Sequence, residues 1–246
     1  DPGMAKALML LPTDESEPKV LQKYQKLVGM LIWLHKTRPD MLFTINFLSR
    51  FLACATQKHL DYARGRPLRY LKGTPGLGIV LKPGSNTTLS GESDADWAGD
   101  LQSGRSTLGH YLQVGELGAI ACKSKLDRRV STSVGQSETL ATASMGKQVE
   151  YARHLFQELE QAQVGPTPVR VDNNGVFLQS TKQINHTEAK HYRLSQAYVR
   201  SLCAEGTMDV RKTSTAENHS DLFTKALARR PFTTHRDAIM GKQTDM

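Results

Sequence analysis

Apolar residues recur at helical spacing over 20–34 as Val20, Leu21, Tyr24, Leu27, Val28, Leu31 and Leu34, which predicts an amphipathic helix. "TRPD" interrupts it at Pro39. A second helix is predicted over 40–53, with Met41, Ile45, Leu48 and Leu52 on one face. "TQKHLDYARGRPLRYLKGT" predicts a third, begun by Thr56 as a cap. It carries Gly65 and Pro67, and a mid-helix proline costs about 3 kcal/mol and kinks the helix. Residues 1–18 show no clear period and read as a linker or tail. "KPGSN" at 82–86 reads as a loop and as the boundary of a helical unit over 19–82.

Beyond that loop the pattern changes. "TTLSGESD", "STLGHYLQVG" and "GAIACKSK" are strand-like runs bounded by glycine or charge, and they predict an antiparallel three-strand meander. A long helix is predicted over 136–163, carrying Leu140, Ala143, Val149, Ala152, Leu155, Phe156 and Leu159, with Gly146 weakening its middle. "TPVRVDNNGVFLQS" reads as a short buried strand running into a helix. "AKHYRLSQAYVRSLCAEG" is a helix stopped at Gly206. "MDVRKTST" is a strand and "AENHSDLFTKALA" a final helix. The order βββαβααβα predicts an α/β domain with a mixed sheet over 83–232, followed by a tail over 233–246.

Charge adds a partner class. The 246 residues hold 32 Lys and Arg against 24 Asp and Glu, a net charge of +8, which favours a polyanion such as nucleic acid. Candidate phosphate contacts are Lys123, Lys125, Arg128 and Arg129 in "KSKLDRR", and Lys190 and Arg193 in "KHYR". Solvated loop charge is the competing reading of these runs. Cys54, Cys122 and Cys203 are far apart and odd in number, which argues against a disulfide framework and a zinc site and fits a reducing compartment. No apolar run approaches the roughly 18 residues of a membrane span. The opening "DPGM" carries no secretory signal and reads as a start inside a longer protein. The eight histidines, among them His186, His191 and His219, show no metal-ligand spacing. Trp97 reads as a core residue, and "GELG" as a hairpin turn.

The unusual chemistry lies in "SDADWAGD", residues 93–100, with three aspartates in a basic chain. Asp94 ends the first strand of the predicted sheet. Glu138 lies in the first turn of the long helix, Asp172 ends "VRVD", and Asp221 lies early in the last helix. Strand ends and adjoining helix starts of an α/β sheet converge on one rim. Four carboxylates without a His/Cys set suit a hard cation, Mg²⁺ or Mn²⁺. Two such ions about 4 Å apart clamp both sides of a phosphoryl displacement. Each acid also has a plainer reading, as a helix-dipole partner or a turn former, and the pattern alone leaves both open.

"SDADWAGDLQSGRSTLGHYLQVGELGAIACKSK", "VDNNGVF", "HTEAKHYRLSQAYVRSLCAEG" and "ENHSDLFTKAL" resemble blocks of the ribonuclease H domain that ends the polymerase polyprotein of copia-type LTR retrotransposons. "YQKLVGMLIWLHKTRPDMLFTINFLSRFLACATQKHLDYARGRPLRYLKGT" resembles the segment after that family's reverse-transcriptase palm. The resemblance covers about residues 20–240 and implies a ribonuclease H-like sheet behind a thumb- or connection-like helical piece. It implies an endoribonuclease that cuts the RNA strand of an RNA–DNA hybrid, leaving a 3′-hydroxyl and a 5′-phosphate. Carried over, the catalytic and metal-holding acids are Asp94, Glu138, Asp172 and Asp221. Asp94 would bridge two Mg²⁺ ions, for which Mn²⁺ can substitute. Asp221 would serve the water-activating metal, and Glu138 and Asp172 the one facing the leaving oxygen. Asp96 and Asp100 would be polar neighbours.

The implied partners are the hybrid and the rest of the reverse-transcriptase polyprotein, with no membrane. The implied location is a cytoplasmic virus-like particle, or the nucleus. The paired-aspartate polymerase signature is absent, so this chain cannot polymerise alone. Departures from the family pattern are Glu92 for an aromatic, Gln136 for an acid, Thr139 for a tyrosine and Pro67 for a branched aliphatic. They keep open an inactive remnant that binds nucleic acid or serves as a structural module. An integrase or resolvase of the same fold is a third reading, opposed by the acid on the C-terminal helix.

Overall fold

The computed structural model describes residues 2–10, 16–81, 86–181 and 190–241. Four helices come first: α1 (Pro2–Met9), α2 (Pro18–Trp33), α3 (Leu42–Ser49) and α4 (Gln57–Gly73). Proline starts α2, where its missing N–H is no loss. Thr56 starts α4, its backbone N–H donating to His59 Nδ1 at 3.1 Å. The helix stays continuous across Pro67, which is buried. Tyr24, Leu27, Val28 and Leu31 of α2 face Ile45, Leu48, Leu60 and Ala63 in one core.

Residues 1–18 are not all linker. Ala5, Leu8 and Met9 of α1 are buried in that same core, and their i, i+3, i+4 spacing is a helical stripe too short to stand out from the sequence. The loop expected at 82–86 lies almost wholly outside the described residues.

The second unit is built on strands β1 (Leu89–Asp96), β2 (Thr107–Val114), β3 (Ala119–Leu126), β4 (Thr167–Val171) and β5 (Met208–Lys212), in the order β3-β2-β1-β4-β5. β1 pairs antiparallel with β2 and parallel with β4; β4 pairs parallel with β5. Helices α5 (Val134–Glu158), α6 (Asn174–Thr181) and α7 (Lys190–Ala204) link the later strands. The central strand β1 is covered on both faces. Ser93 Oγ meets Thr142 Oγ1 of α5 at 3.1 Å, whereas Glu92 and Asp94 reach residues 219 and 224 on the other face. The C-terminal ends of the parallel strands β1 and β4 therefore open on one rim.

Two expectations near the C-terminus need correction. The helix read from "AENHSDLFTKALA" shrinks to one turn, α8 (Asp221–Thr224), because Lys225 turns to extended backbone. The tail expected over 233–246 begins inside α9 (Arg229–Ile239). His235, Ile239 and Met240 are buried there, and Met240 O accepts the Val80 N–H at 2.8 Å.

Gly146 is likewise not a weak point: a Cβ there would lie 2.6 Å from Leu202 Cδ1, so its bareness lets α7 pack closely on α5. The helical unit meets the sheet through Asn46, which donates to Ser124 Oγ at 3.0 Å, and through Arg50, which reaches Asp100 at 3.3 Å and Thr107 Oγ1 at 2.9 Å.

Gly109 fixes the approach of α8. It is the cross-strand partner of Asp94. A Cβ at Gly109 would stand 2.6 Å from Thr224 Cγ2 and 2.8 Å from Phe223 Cβ. Gly109→Ala is expected to lower stability by about 1–3 kcal/mol through overpacking. Gly78→Ala, with open space around it, is expected to stay within about 0.5 kcal/mol of the parent. Urea unfolding of both variants checks this, and equal midpoints would refute the close-approach role.

Candidate metal centre

β1 carries three consecutive buried polar residues, Glu92, Ser93 and Asp94, so each needs a partner. Glu92 sits beside Arg170 in the β1–β4 register, and the pair closes at 2.6 Å. Its second oxygen accepts the His219 backbone N–H at 2.5 Å. Ser93 O accepts from Asn218 Nδ2 at 3.2 Å. Asp94 accepts a hydrogen bond from the Thr224 hydroxyl. Residues 218–224 are thereby tied to β1 at three successive positions.

Ser133 caps α5, accepting the Gln136 N–H at 3.2 Å. Gln136 returns the contact one residue upstream, its side-chain oxygen accepting from Thr132 N–H at 2.7 Å. An amide performs this capping as well as an acid does. Glu138 follows in the second turn and is 4% exposed. Asp172 directly follows β4, and its main-chain carbonyl accepts from Lys212 Nζ.

The fold brings Asp94, Glu138 and Asp172 together: one oxygen of each lies within 4.8 Å of the others. Burial, reinforced by Asp94 and Asp172, pushes Glu138 up to about 9. Burial, with the charges of Asp221 and Asp172, pushes Asp94 up to about 7 against the pull of Lys225 and Thr224. Glu138 Oε2 is buried without a hydrogen-bond partner. An all-carboxylate set with an orphaned oxygen fits a hard divalent cation, which favours oxygen donors.

Asp221 stands outside that trio. Its Oδ1 pairs with Lys225 Nζ at 2.8 Å, and the same Nζ is 3.9 Å from Asp94 Oδ2. Burial raises the Asp221 carboxyl while Lys225 opposes the rise. Burial opposes the charge on Lys225 itself, yet Asp94 and Asp221 outweigh it and raise its pKa.

Sequence reasoning missed Thr224, Lys225 and Asn218. The i, i+4 spacing of Asp221 and Lys225 was the available signal. Asp100, read as a polar neighbour of the acids, is the buried partner of Arg50.

The basic candidates divide. Lys123 is half-buried, donating to Ser144 Oγ at 2.7 Å, and burial lowers its pKa. Lys125, Arg128, Arg129 and Arg193 are exposed. The side chains of Lys190 and His191, and all of His186, lie outside the described residues. His219 Nδ1 lies 2.9 Å from His235 Nδ1. Trp97 is not core: it is 45% exposed, and its Nε1 donates to Ser131 O at 2.9 Å, tying down the loop that carries Arg128 and Arg129.

A three-strand antiparallel meander continued by two parallel strands on the β1 edge, with acids at the ends of β1 and β4 and in the first helix after the meander, is a ribonuclease H-like domain. Its curated relatives are transposon polyproteins. The chain is 34% identical over 210 residues, 85% of its length, to the retrovirus-related Pol polyprotein from transposon RE1 of Arabidopsis thaliana. It is 31% identical over 233 residues, 94% of its length, to the Pol polyprotein from transposon TNT 1-94 of Nicotiana tabacum.

The chain belongs to the retrovirus-related Pol polyproteins of copia-type transposons. It spans 14% of the RE1 polyprotein and 17% of the TNT 1-94 polyprotein. Among solved structures, ribonuclease H1 from Halobacterium salinarum aligns at 18% identity and a TM-score of 0.42, over 56% of this chain and 94% of that one. No family model matches.

A carboxyl whose pKa is raised by folding stabilises the fold below its unfolded pKa and loses that contribution as pH rises through the folded value. For Glu138 the window runs from about 4.3 in the unfolded chain to about 9 in the fold. The metal-free protein is expected to melt at progressively lower temperature across that window. Glu138→Gln should flatten the profile and melt higher than the parent at pH 8, by about 2–4 °C for each kcal/mol recovered. Thermal melts in chelator from pH 5 to 9 check this; parallel profiles for the two proteins would contradict it.

Proposed function

We propose that this chain is the ribonuclease H of a retrotransposon Pol polyprotein, an endonuclease that cuts the RNA strand of RNA–DNA hybrids. The convergence of Asp94, Glu138 and Asp172 within 4.8 Å carries the reading, with Asp221 beside them. These four acids would hold two Mg²⁺ ions, with Mn²⁺ as a substitute. Such ions activate water and stabilise the attacking and leaving oxygens of a phosphodiester.

The chain's own residues do the rest. Thr224 fixes the Asp94 carboxylate by its hydroxyl. Arg128 and Arg129, exposed on the loop before α5, and Arg193 on α7 would receive backbone phosphates. The proposed setting is reverse transcription in a cytoplasmic particle, with the rest of the polyprotein supplying the polymerase.

An inactive remnant is the alternative, and it drew on Glu92, Gln136 and Pro67. Glu92 is neutralised by Arg170, Gln136 accepts the Thr132 N–H just ahead of the Ser133 cap of α5, and Pro67 lies within an unbroken helix. The fold accommodates these departures, which supports the nuclease reading.

Cleavage of a labelled RNA–DNA hybrid in Mg²⁺ and in Mn²⁺ tests the proposal. The parent should cut the RNA strand and leave duplex DNA intact. Asp94→Asn should lose about 10³-fold or more, equivalent to about 4 kcal/mol of transition-state stabilisation. Hybrid binding without cutting by both proteins would support the inactive module instead. In the same assay, Arg128→Ala with Arg129→Ala should weaken hybrid binding and lower the slope of log affinity against log salt by about 1–2. An unchanged slope would remove these residues from the interface.

A further inference from the structure

Lys225 is built into the carboxylate cluster rather than beside it. It leaves the C-terminal end of α8 and returns toward Asp221, four residues earlier. Its Nζ lies 2.8 Å from Asp221 Oδ1 and 3.9 Å from Asp94 Oδ2, so one ammonium is shared by two carboxylates. The preceding Thr224 donates to the same Asp94 Oδ2, leaving that oxygen between a hydroxyl and a cation. The Lys225 side chain is still 34% exposed, so it has a route back to solvent. Glu138 Oε2 has no hydrogen-bond partner. The ammonium pairs directly with Asp221 and Asp94 and acts on Glu138 only through its field.

We propose that Lys225 is a tethered counter-ion holding the Asp94–Asp221 cation position in the metal-free protein, so that divalent-metal loading is an exchange in which the ammonium withdraws. The proposal rests on the metal-dependent reading above and adds a residue that sets metal affinity. It follows from charge and space. A divalent cation bound by Asp94 and Asp221 and an ammonium 2.8 Å from the same Asp221 oxygen repel each other in a site with little water to screen them. Removing the ammonium without the metal leaves like charges crowded together. Removing it with the metal present removes a competitor. The two states thus respond to loss of Lys225 with opposite signs. A lysine that served only packing or solubility would shift both states alike.

The experiment uses the whole chain without nucleic acid, titrated with MgCl₂ by calorimetry and melted in chelator and in saturating Mg²⁺. Lys225→Met keeps the aliphatic stem and removes the charge. It is expected to melt lower than the parent in chelator, yet to bind Mg²⁺ about tenfold or more tightly. Lys225→Arg retains the charge and offers several donors to two carboxylates; it should fold like the parent and bind Mg²⁺ no more tightly. This variant also decides the matter if Lys225→Met fails to fold: Mg²⁺ binding clearly tighter than the parent's would overturn the proposal.

A third readout follows the ammonium directly. Acetylation of Lys225 by acetic anhydride, read by mass spectrometry, should rise in the parent when Mg²⁺ is added. Parent binding of Mg²⁺ with unchanged affinity in Lys225→Met, or unchanged acetylation, would overturn the exchange while leaving the metal site standing. No Mg²⁺ binding by the parent or by Lys225→Met would overturn both the exchange and the metal-dependent reading. Asp94→Asn, expected to bind Mg²⁺ weakly or not at all, ties any observed binding to this site.

Discussion

Everything at this site depends on holding mutually repelling carboxylates together where water is scarce. Asp94 and Glu138 are almost completely buried, and burial combined with neighbouring charge drives both carboxyls toward the protonated form. Acids do not gather this way by attraction. They are placed by backbone, because β1 and β4 run parallel and end on the same rim, and because α5 is capped so that Glu138 falls in its second turn. The sheet and helix hydrogen bonds carry the strain of the charges. A divalent cation held there would convert that strain into binding energy, so a crowded, under-neutralised cluster suits a metal-dependent site better than a structural one.

The scaffolding residues make sense in this light. Gly109 is not a weak point in β2 but the opening through which Phe223 and Thr224 reach the sheet. Its register partner is Asp94, so the bare strand position and the acid are two halves of one arrangement. Asn218, buried, ties the segment before α8 to Ser93. The helical unit contributes as well. Arg50 gives Asp100 its charge partner and donates to Thr107, bracing the β1–β2 hairpin on which Asp94 sits. An aspartate of the acidic motif is thus satisfied from a segment about fifty residues upstream.

Most of the fold was legible because its elements obey simple periods. The meander, the long helix and the alternation of strand and helix all follow from apolar spacing and glycine punctuation. The misses have physical causes. α1 is short, and its Ala5, Leu8 and Met9 gain burial only from tertiary contact. α8 stops after one turn because Lys225 takes an extended backbone while its side chain still pairs with Asp221, a break that no apolar period in the sequence signals. α9 exposes much of its length and is anchored by a few residues such as Ile239 and Met240. At the site, the acids were visible as residue types at element ends. Thr224, Lys225 and Asn218 were not, because a hydroxyl, an amine and an amide have no period and matter only once two segments meet.

Glu92 shows how far such a site tolerates change. It lies on β1 two residues from Asp94 and on the same face, where a bare negative charge would add to the repulsion. Two features prevent this. Arg170 is its direct register neighbour on β4, so the guanidinium reaches it without distorting either strand. The His219 N–H meets its other oxygen, which also orients the segment carrying Asp221. Breaking one partner of a buried pair costs several kcal/mol, whereas replacing both with apolar groups is often neutral. An acid at 92 therefore requires a cation at 170, and an aromatic at 92 would release that requirement. The departure from the family pattern at 92 is met by Arg170 within this chain, and it leaves the field at Asp94 governed by Lys225, Asp221, Thr224 and Asp172.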